Sequence, residues 1–151
     1  MATPYSDIYT LFLQQISDIS FAQIPQTEAE GIFEQYLINA IPEFYLCKQD
    51  LSNRDSIIKQ FNIDLTDMEK KILALLMVIE WIKPKLYNAS LLRQTMTTSD
   101  FKIYSQANHI DELIKLKGDL VNEINDKIIR YTYQDNLDGL SWFKWVILIY
   151  I

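Results

Sequence analysis

The sequence predicts an all-α fold, a compact bundle of about four to five helices with a long C-terminal helix and an extended hydrophobic C-terminal tail. Apolar residues recur at three- and four-residue steps in several stretches, as on one face of a helix. Only three glycines and four prolines occur among the 151 residues. Hydrophobic residues make up 49% of the chain, which is typical of one folded domain and not of a disordered chain.

The first two helices are predicted on either side of Pro25. Residues 5–19 have an amphipathic pattern, with apolar positions at Ile8, Leu11, Phe12, Ile16 and Ile19. The second helix is expected to begin at Thr27, which forms a capping box with Glu30, and to end near Pro42. Its predicted core positions are Ile32, Phe33, Tyr36, Leu37 and Ala40.

The middle of the chain predicts a loop followed by the central helix. Residues 49–62 are polar at first and indicate a loop or a short helical turn that closes on Ile57, Ile58 and Phe61. Thr66 and Glu69 form a second capping box, and residues 72–82 are apolar on nearly every face, as in a helix at the centre of a bundle. A break is expected at Pro84. A short fourth helix then runs through Tyr87, Leu91, Leu92 and Met96.

The C-terminal part predicts a loop, a long helix and a tail. Residues 97–105 are expected to form the loop, and Ser105 or Asn108 can cap the long helix. The apolar stripe of that helix consists of Ile110, Leu113, Leu120, Ile124, Ile128 and Tyr131. Residues 135–139 are rich in turn formers, so the sequence predicts a helical domain over 1–139 and a separate docking tail over 140–151.

Charge, cysteine and glycine content disfavour several function classes. The formal net charge of −6 is the opposite of what binding to nucleic-acid phosphates requires. The single cysteine, Cys47, excludes an internal disulfide and is expected to be a small buried residue, with a reactive thiol as the alternative. The three glycines are isolated, so a phosphate-binding loop is not expected.

No residue pattern predicts an active site, a metal site or a cofactor site. His109 has neither a serine in a nucleophile elbow nor metal-ligand spacing near it, and we expect a surface or capping role. Glu80 interrupts the apolar run of the central helix. It could act as a catalytic carboxylate, but a structural role beside Lys83 or Arg93, or facing solvent or a neighbouring subunit, is the favoured interpretation. We therefore expect a protein that is not an enzyme.

The tail, residues 140–151, holds the most informative pattern in the chain. Ten of its twelve residues are apolar and Lys144 is its one charge. A membrane-spanning helix needs roughly 20 apolar residues, and the N-terminus lacks a signal-peptide pattern, so neither is expected. The tail can be covered by its own bundle, by a neighbouring copy or by another protein, and a strand and a helix fit its pattern equally well. The predicted partner-binding residues are Trp142, Phe143, Trp145, Val146, Ile147, Leu148, Ile149 and Tyr150 in the tail, and Asp100, Phe101 and Tyr104 in the loop.

Three stretches resemble small neck proteins of tailed bacteriophages, the head–tail adaptors. They are LALLMVIEWIKPK at residues 73–85, DFKIYSQAN at residues 100–108, and the end of the long helix, IIRYTY, at residues 128–133. The resemblance covers roughly residues 5–135. The sequence from Ser141 onward departs from the ending expected of that family, so the docking role of the tail depends on its own composition.

The resemblance implies a virion structural protein, made in the host cytoplasm, in a homo-oligomeric ring that is usually a dodecamer. Such a ring lies below the portal protein and bridges it to the stopper or tail-completion protein, commonly with a C-terminal extension that reaches into the portal. Its acidic charge would let DNA pass through the channel without specific binding. The alternative is a small phage regulatory or anti-defence protein that binds a host protein and has no virion role.

Overall fold

The chain is mostly helical in a computed structural model that describes residues 2–16, 19–95 and 102–149, and side chains within 2–16, 21–88 and 110–133. Four α-helices and a small three-stranded sheet make up the described part, which confirms the all-α prediction and the long C-terminal helix. The helices are α1 (Tyr5–Leu13), α2 (Gln26–Ala40), α3 (Asp67–Thr95) and α4 (Lys102–Ile149). Two 3₁₀ helices, Ile19–Gln23 and Ile41–Glu43, flank α2.

The N-terminal helices follow the predicted apolar pattern but not the predicted ends. Ile8 and Phe12 of α1 are fully buried, and Phe33, Leu37 and Ala40 form the buried face of α2. The first helix ends at Leu13 and not near residue 19. The capping box predicted for Thr27 is wrong, because α2 begins one residue earlier, directly after Pro25, and has no side-chain cap. Instead, the amide of Gln26 donates a hydrogen bond of 2.8 Å to the Glu30 carboxylate.

The sheet consists of β1 (Thr3–Pro4), β2 (Arg54–Asp55) and β3 (Gln60–Phe61), antiparallel in the order β1-β3-β2. The Asp55 carboxylate accepts the backbone N–H groups of Ile57 and Ile58 at 2.8 and 3.2 Å, which shapes the turn between β2 and β3. The polar stretch expected to be a loop is therefore partly a short hairpin, which places Phe61 in the core.

The central helix α3 contacts α1, α2 and α4, and residues 72–78 are all buried, as the sequence predicts. The predicted break at Pro84 is wrong, because α3 continues through Pro84 to Thr95. Pro84 itself is exposed, while Ile82 is fully buried and Leu86 is partly buried. Packing on both sides of the proline thus holds the helix together against the local preference of the proline ring.

The long helix α4 is longer than the sequence predicts at both ends. It begins at Lys102, within the predicted loop, and it continues through residues 135–139 to Ile149, so the expected break before the tail is wrong. Helix propensities explain this, because each of these turn-forming residues costs only about 1 kcal/mol or less in a helix. Residues 140–149 are therefore helical and not extended. Within the part of the chain that the structure describes, no helix is both long enough and apolar enough to cross a membrane.

Candidate docking site at the end of the long helix

The long helix α4 packs against α3 along the predicted apolar stripe. Ile110, Leu113, Leu120, Ile124 and Tyr131 are all buried, and Ile128 is partly buried. Near the end of this stripe, Tyr131 meets Glu69, which lies only two residues after the first residue of α3. The α3–α4 contact therefore ends close to Tyr131, because α3 has almost no residues left beyond that level.

Tyr131 is held by two other parts of the chain, the first turn of α3 and the stretch from Phe44 to Lys48. Its hydroxyl donates a hydrogen bond of 2.5 Å to a carboxylate oxygen of Glu69 and accepts one of 2.8 Å from the backbone N–H of Lys48. The Tyr131 ring lies 5.5 Å from the ring of Phe44, centroid to centroid, and the Lys48 ammonium lies 4.7 Å from the Tyr131 ring centroid. These contacts fix the position of α4 beside the first turn of α3.

Glu69 is only 1% exposed and serves two elements at once. Its second carboxylate oxygen accepts the backbone N–H of Thr66 at 2.7 Å, while the Thr66 hydroxyl accepts the N–H of Glu69 at 3.3 Å. This reciprocal pair confirms the second capping box that the sequence predicts. We call Glu69, Tyr131 and the backbone of Lys48 the Tyr131 node.

The Tyr131 node is suited to hold structure and not to supply a nucleophile. Burial raises the pKa of the Tyr131 hydroxyl well above its usual value, and the hydrogen bond to Glu69 raises it further. Burial likewise raises the pKa of the adjacent Cys47 thiol, which lies 3.8 Å from Glu69. A raised thiol pKa leaves less thiolate, the reactive form. Cys47 is partly buried, short of the full burial that we expected.

Beyond Tyr131, α4 continues for 18 residues to Ile149. At the 1.5 Å rise of an α-helix, that length is about 27 Å. Residues 134–139 of this part are mostly polar, and the apolar residues begin again at Leu140. We call residues 140–151 the terminal segment.

The predicted partner-binding residues fall into two groups in the structure. Tyr104 lies in the first turn of α4. The last eight residues of α4 include Trp142, Phe143, Trp145, Val146, Ile147, Leu148 and Ile149. The side chains of all these residues, and of His109, lie outside those that the structure describes. Asp100, Phe101 and Tyr150 lie outside the described residues altogether.

A groove of about 620 Å³ lies between α3, α4 and the chain after α2, and the sequence did not indicate it. We call it the α3–α4 groove. Its apolar lining includes side chains that are well exposed: Tyr45 is 81%, Ile129 54% and Leu46 43% exposed. Its charged lining residues are Glu43, Glu80 and Lys83. The apolar run of Phe44, Tyr45 and Leu46 before Cys47 was the available signal in the sequence. The structure buries Phe44 and exposes the other two.

Glu80 contacts Lys83, one of the partners that the sequence suggests for it. Its carboxylate is paired with the Lys83 ammonium, one turn later on α3. The pair lies on the rim of the α3–α4 groove, where it places one charge of each sign. Among the residues that the structure describes, no group of three histidine, cysteine or acidic side chains is placed to hold a metal ion.

A second groove, of about 790 Å³, lies between α1, the first 3₁₀ helix and α2. Leu13, Phe21 and Phe33 contribute to its mostly apolar lining. Tyr9 also lines it, but its hydroxyl is buried and has no hydrogen-bond partner among the described residues. Burial raises the pKa of that hydroxyl, so it stays protonated and uncharged.

A comparison of the chain with protein-family models, curated proteins and solved structures finds no match.

Proposed function

We propose that this chain is a structural subunit of a bacteriophage neck, a head–tail adaptor that assembles as a ring and bridges the portal protein to the stopper or tail. The observation that carries the proposal is the continuation of α4 for 18 residues past Tyr131 into an apolar end. An apolar helix end needs a covering surface, because large apolar patches are rare on proteins that stay monomeric. In an adaptor that surface belongs to the portal.

The charge and the sequence resemblance support the same function. A net charge of −6 suits a channel through which DNA passes without adhering. The stretches at residues 73–85, 100–108 and 128–133 resemble the head–tail adaptors. In this proposal the protein works by assembly and not by catalysis, and its place is the virion, at the connector between head and tail.

Truncation after Gly139 tests the proposal most directly. Full-length and truncated chains are each mixed with the purified portal protein of the same virus, and complex formation is measured by size-exclusion chromatography with light scattering. We expect the full chain to bind and the truncated chain to lose binding on the order of a hundredfold or more, since clustered tryptophans are typical hot spots. Tyr87→Ala is a matched control, because Tyr87 is 70% exposed on α3 and lies far from the terminal segment in sequence.

Two results would contradict the adaptor function. The first is unchanged portal binding after truncation, which would favour burial of the terminal segment in its own subunit. The second is a monomeric protein that cryo-electron microscopy does not find in virions. That result would favour the alternative function, a small regulatory or anti-defence protein that binds a host protein.

A further inference from the structure

The α3–α4 groove and the terminal segment are two apolar surfaces of one chain at different places. The groove is built from residues of α3, from residues of α4 that precede Tyr131, and from Tyr45 and Leu46. The terminal segment begins nine residues after Tyr131. A projecting apolar element and an apolar groove on the same subunit allow a head-to-tail contact, in which each copy inserts into the next.

The spacing of the terminal segment fits a groove. Because α4 is helical to Ile149, positions 142, 145, 146 and 149 fall on one face at the i, i+3, i+4 and i+7 spacing that helices use to dock in grooves. These positions are Trp142, Trp145, Val146 and Ile149. Apolar residues also occupy the opposite face, at Leu140 and Ile147. A helix that is apolar all round is covered on more than one side, so one face can fill a groove while another contacts the portal.

The charges of the two surfaces are complementary. The α3–α4 groove has two carboxylates, Glu43 and Glu80, against one ammonium, Lys83, which gives a charge of −1 from these groups. The terminal segment has one charged side chain, the positive Lys144. By contrast, the isologous pairing of two α3–α4 grooves would bring together like charges and would leave both terminal segments uncovered.

We propose that the α3–α4 groove of one copy receives the terminal segment of the next copy. Repetition of this heterologous contact gives a ring when the rotation between neighbours closes. The inference rests on the proposed function, to which it adds the contact that joins the subunits of the ring.

Two variants separate the two halves of the proposed contact. Truncation after Gly139 removes the inserting half, and Ile129→Asp places a carboxylate in the receiving half. Ile129 is 54% exposed, so the change does not bury a charge in the core. Ile114→Asp is the matched control, because Ile114 is a 52% exposed isoleucine of the same helix that does not line the α3–α4 groove. Light scattering after size-exclusion chromatography gives the mass of each variant.

We expect the wild type and Ile114→Asp to form the same oligomer, while each of the other two variants alone has the 17.8 kDa mass of a monomer. Their dissociation constants for self-association should rise on the order of tenfold or more. An equimolar mixture of the truncated chain and Ile129→Asp retains one intact groove and one intact segment. The mixture should therefore form a one-to-one dimer and nothing larger. A mixture that stays at the monomer mass overturns the proposal.

Further variants guard against loss of folding, which circular dichroism measures for each chain. Tyr45→Ala replaces Ile129→Asp as the groove variant, since Tyr45 is 81% exposed. Trp142→Asp replaces the truncation, and the same dimer is expected from their mixture. If the mixture dimerises but the full chain does not bind portal, the adaptor function fails and the groove contact stands. If the mixture stays monomeric while the full chain binds portal, the groove contact fails and the adaptor function stands.

Discussion

Removal of one hydroxyl from Tyr131 should destabilise the protein far more than removal of the hydroxyl of Tyr9. Tyr131→Phe keeps the ring against Phe44 but deletes the hydrogen bonds to Glu69 and to the N–H of Lys48. A hydrogen bond to a charged group contributes about 1.5–3 kcal/mol and a neutral one about 0.5–1.5 kcal/mol. Because the 1%-exposed carboxylate of Glu69 stays buried after the change, we expect a loss of about 2–4 kcal/mol.

Tyr9→Phe is the matched control for this prediction. Tyr9 is a buried tyrosine too, but its hydroxyl has no hydrogen-bond partner among the described residues. Deleting an unpartnered buried hydroxyl removes a desolvation cost, so the free energy of unfolding should change by less than about 1 kcal/mol, and toward greater stability.

Urea denaturation followed by circular dichroism measures both variants, with the free energy of unfolding taken from linear extrapolation. In thermal melts, Tyr131→Phe should melt about 4–16 °C below the wild type, at roughly 2–4 °C for each kcal/mol. Equal effects of the two variants would refute the reasoning, because the structure distinguishes them only by their hydrogen bonds. The double variant Tyr131→Phe with Glu69→Ala should lose less than the sum of its two single variants, since each single variant removes the hydrogen bond between Tyr131 and Glu69.

Three further predictions follow from single features of the fold. Because burial raises the pKa of Tyr131, the stability that its protonated hydroxyl contributes is complete below about pH 10, the unfolded value, and is lost as the pH rises through the folded value. The free energy of unfolding, measured as a function of alkaline pH, should therefore fall more steeply for the wild type than for Tyr131→Phe, by up to about 1.4 kcal/mol per pH unit. Equal slopes for the two proteins would contradict this. Thr66→Ala should cost about 1 kcal/mol in urea denaturation because it removes a cap, whereas Thr27→Ala should cost much less, and the opposite order would be inconsistent with the observed helix ends. Pro84→Ala should stabilise the protein by about 1–3 kcal/mol, because alanine restores a backbone N–H inside α3 at an exposed position. Thermal melts measure the change. A lower melting temperature for the variant would show that the proline stabilises the observed path of α3.

The two capping boxes show why the sequence predicts helices better than it predicts their ends. Both have the same threonine and glutamate spacing, yet only Thr66 with Glu69 forms the box. Pro25 occupies the N-cap position of α2 with an extended backbone conformation, so α2 begins directly after it and Thr27 lies inside the first turn. At α3 the helix begins at Asp67, so Thr66 stands at the cap position.

The buried positions of the helices could be predicted from the apolar periodicity of the sequence, since the predicted apolar residues of α3 and of the α4 stripe are buried or partly buried in the structure. The Tyr131 node and the α3–α4 groove could not be predicted in this way. Each joins segments that are distant in sequence, such as Glu69 with Tyr131, or Leu46 with Ile129. A periodic pattern tells which face of a helix is buried, but it does not tell which polar or exposed apolar residues of other segments will lie beside it.

The polar stretch between the two apolar parts of α4 bears on how the terminal segment works. The face of α4 that carries the buried residues Ile124 and Tyr131 continues, at helical spacing, with Asp135, Asp138 and then Trp142. Burial of the two aspartates against an apolar surface would be unfavourable. Residues 134–139 therefore act as a spacer of about 9 Å, at 1.5 Å for each of six residues, within one continuous helix. A helical spacer holds the terminal segment in a defined direction, and such an arm loses less conformational entropy on docking than a flexible tail does.

Asn136→Pro tests whether the helical state of this spacer matters. Proline inside a helix costs about 3 kcal/mol and kinks or breaks it, while the bundle up to Tyr131 is untouched. The melting temperature of the bundle should therefore stay near that of the control Asn136→Ala, while the dissociation constant for portal should rise on the order of tenfold or more. Unchanged portal binding by the proline variant, with normal binding by the alanine variant, would show that the terminal segment docks as a flexible tail, as the turn-forming residues 135–139 suggest on their own. A rigid arm is the better explanation only if Asn136→Pro binds more weakly than Asn136→Ala while its bundle melts normally. The two variants have nearly the same composition, so a difference in binding would come from the path of the helix.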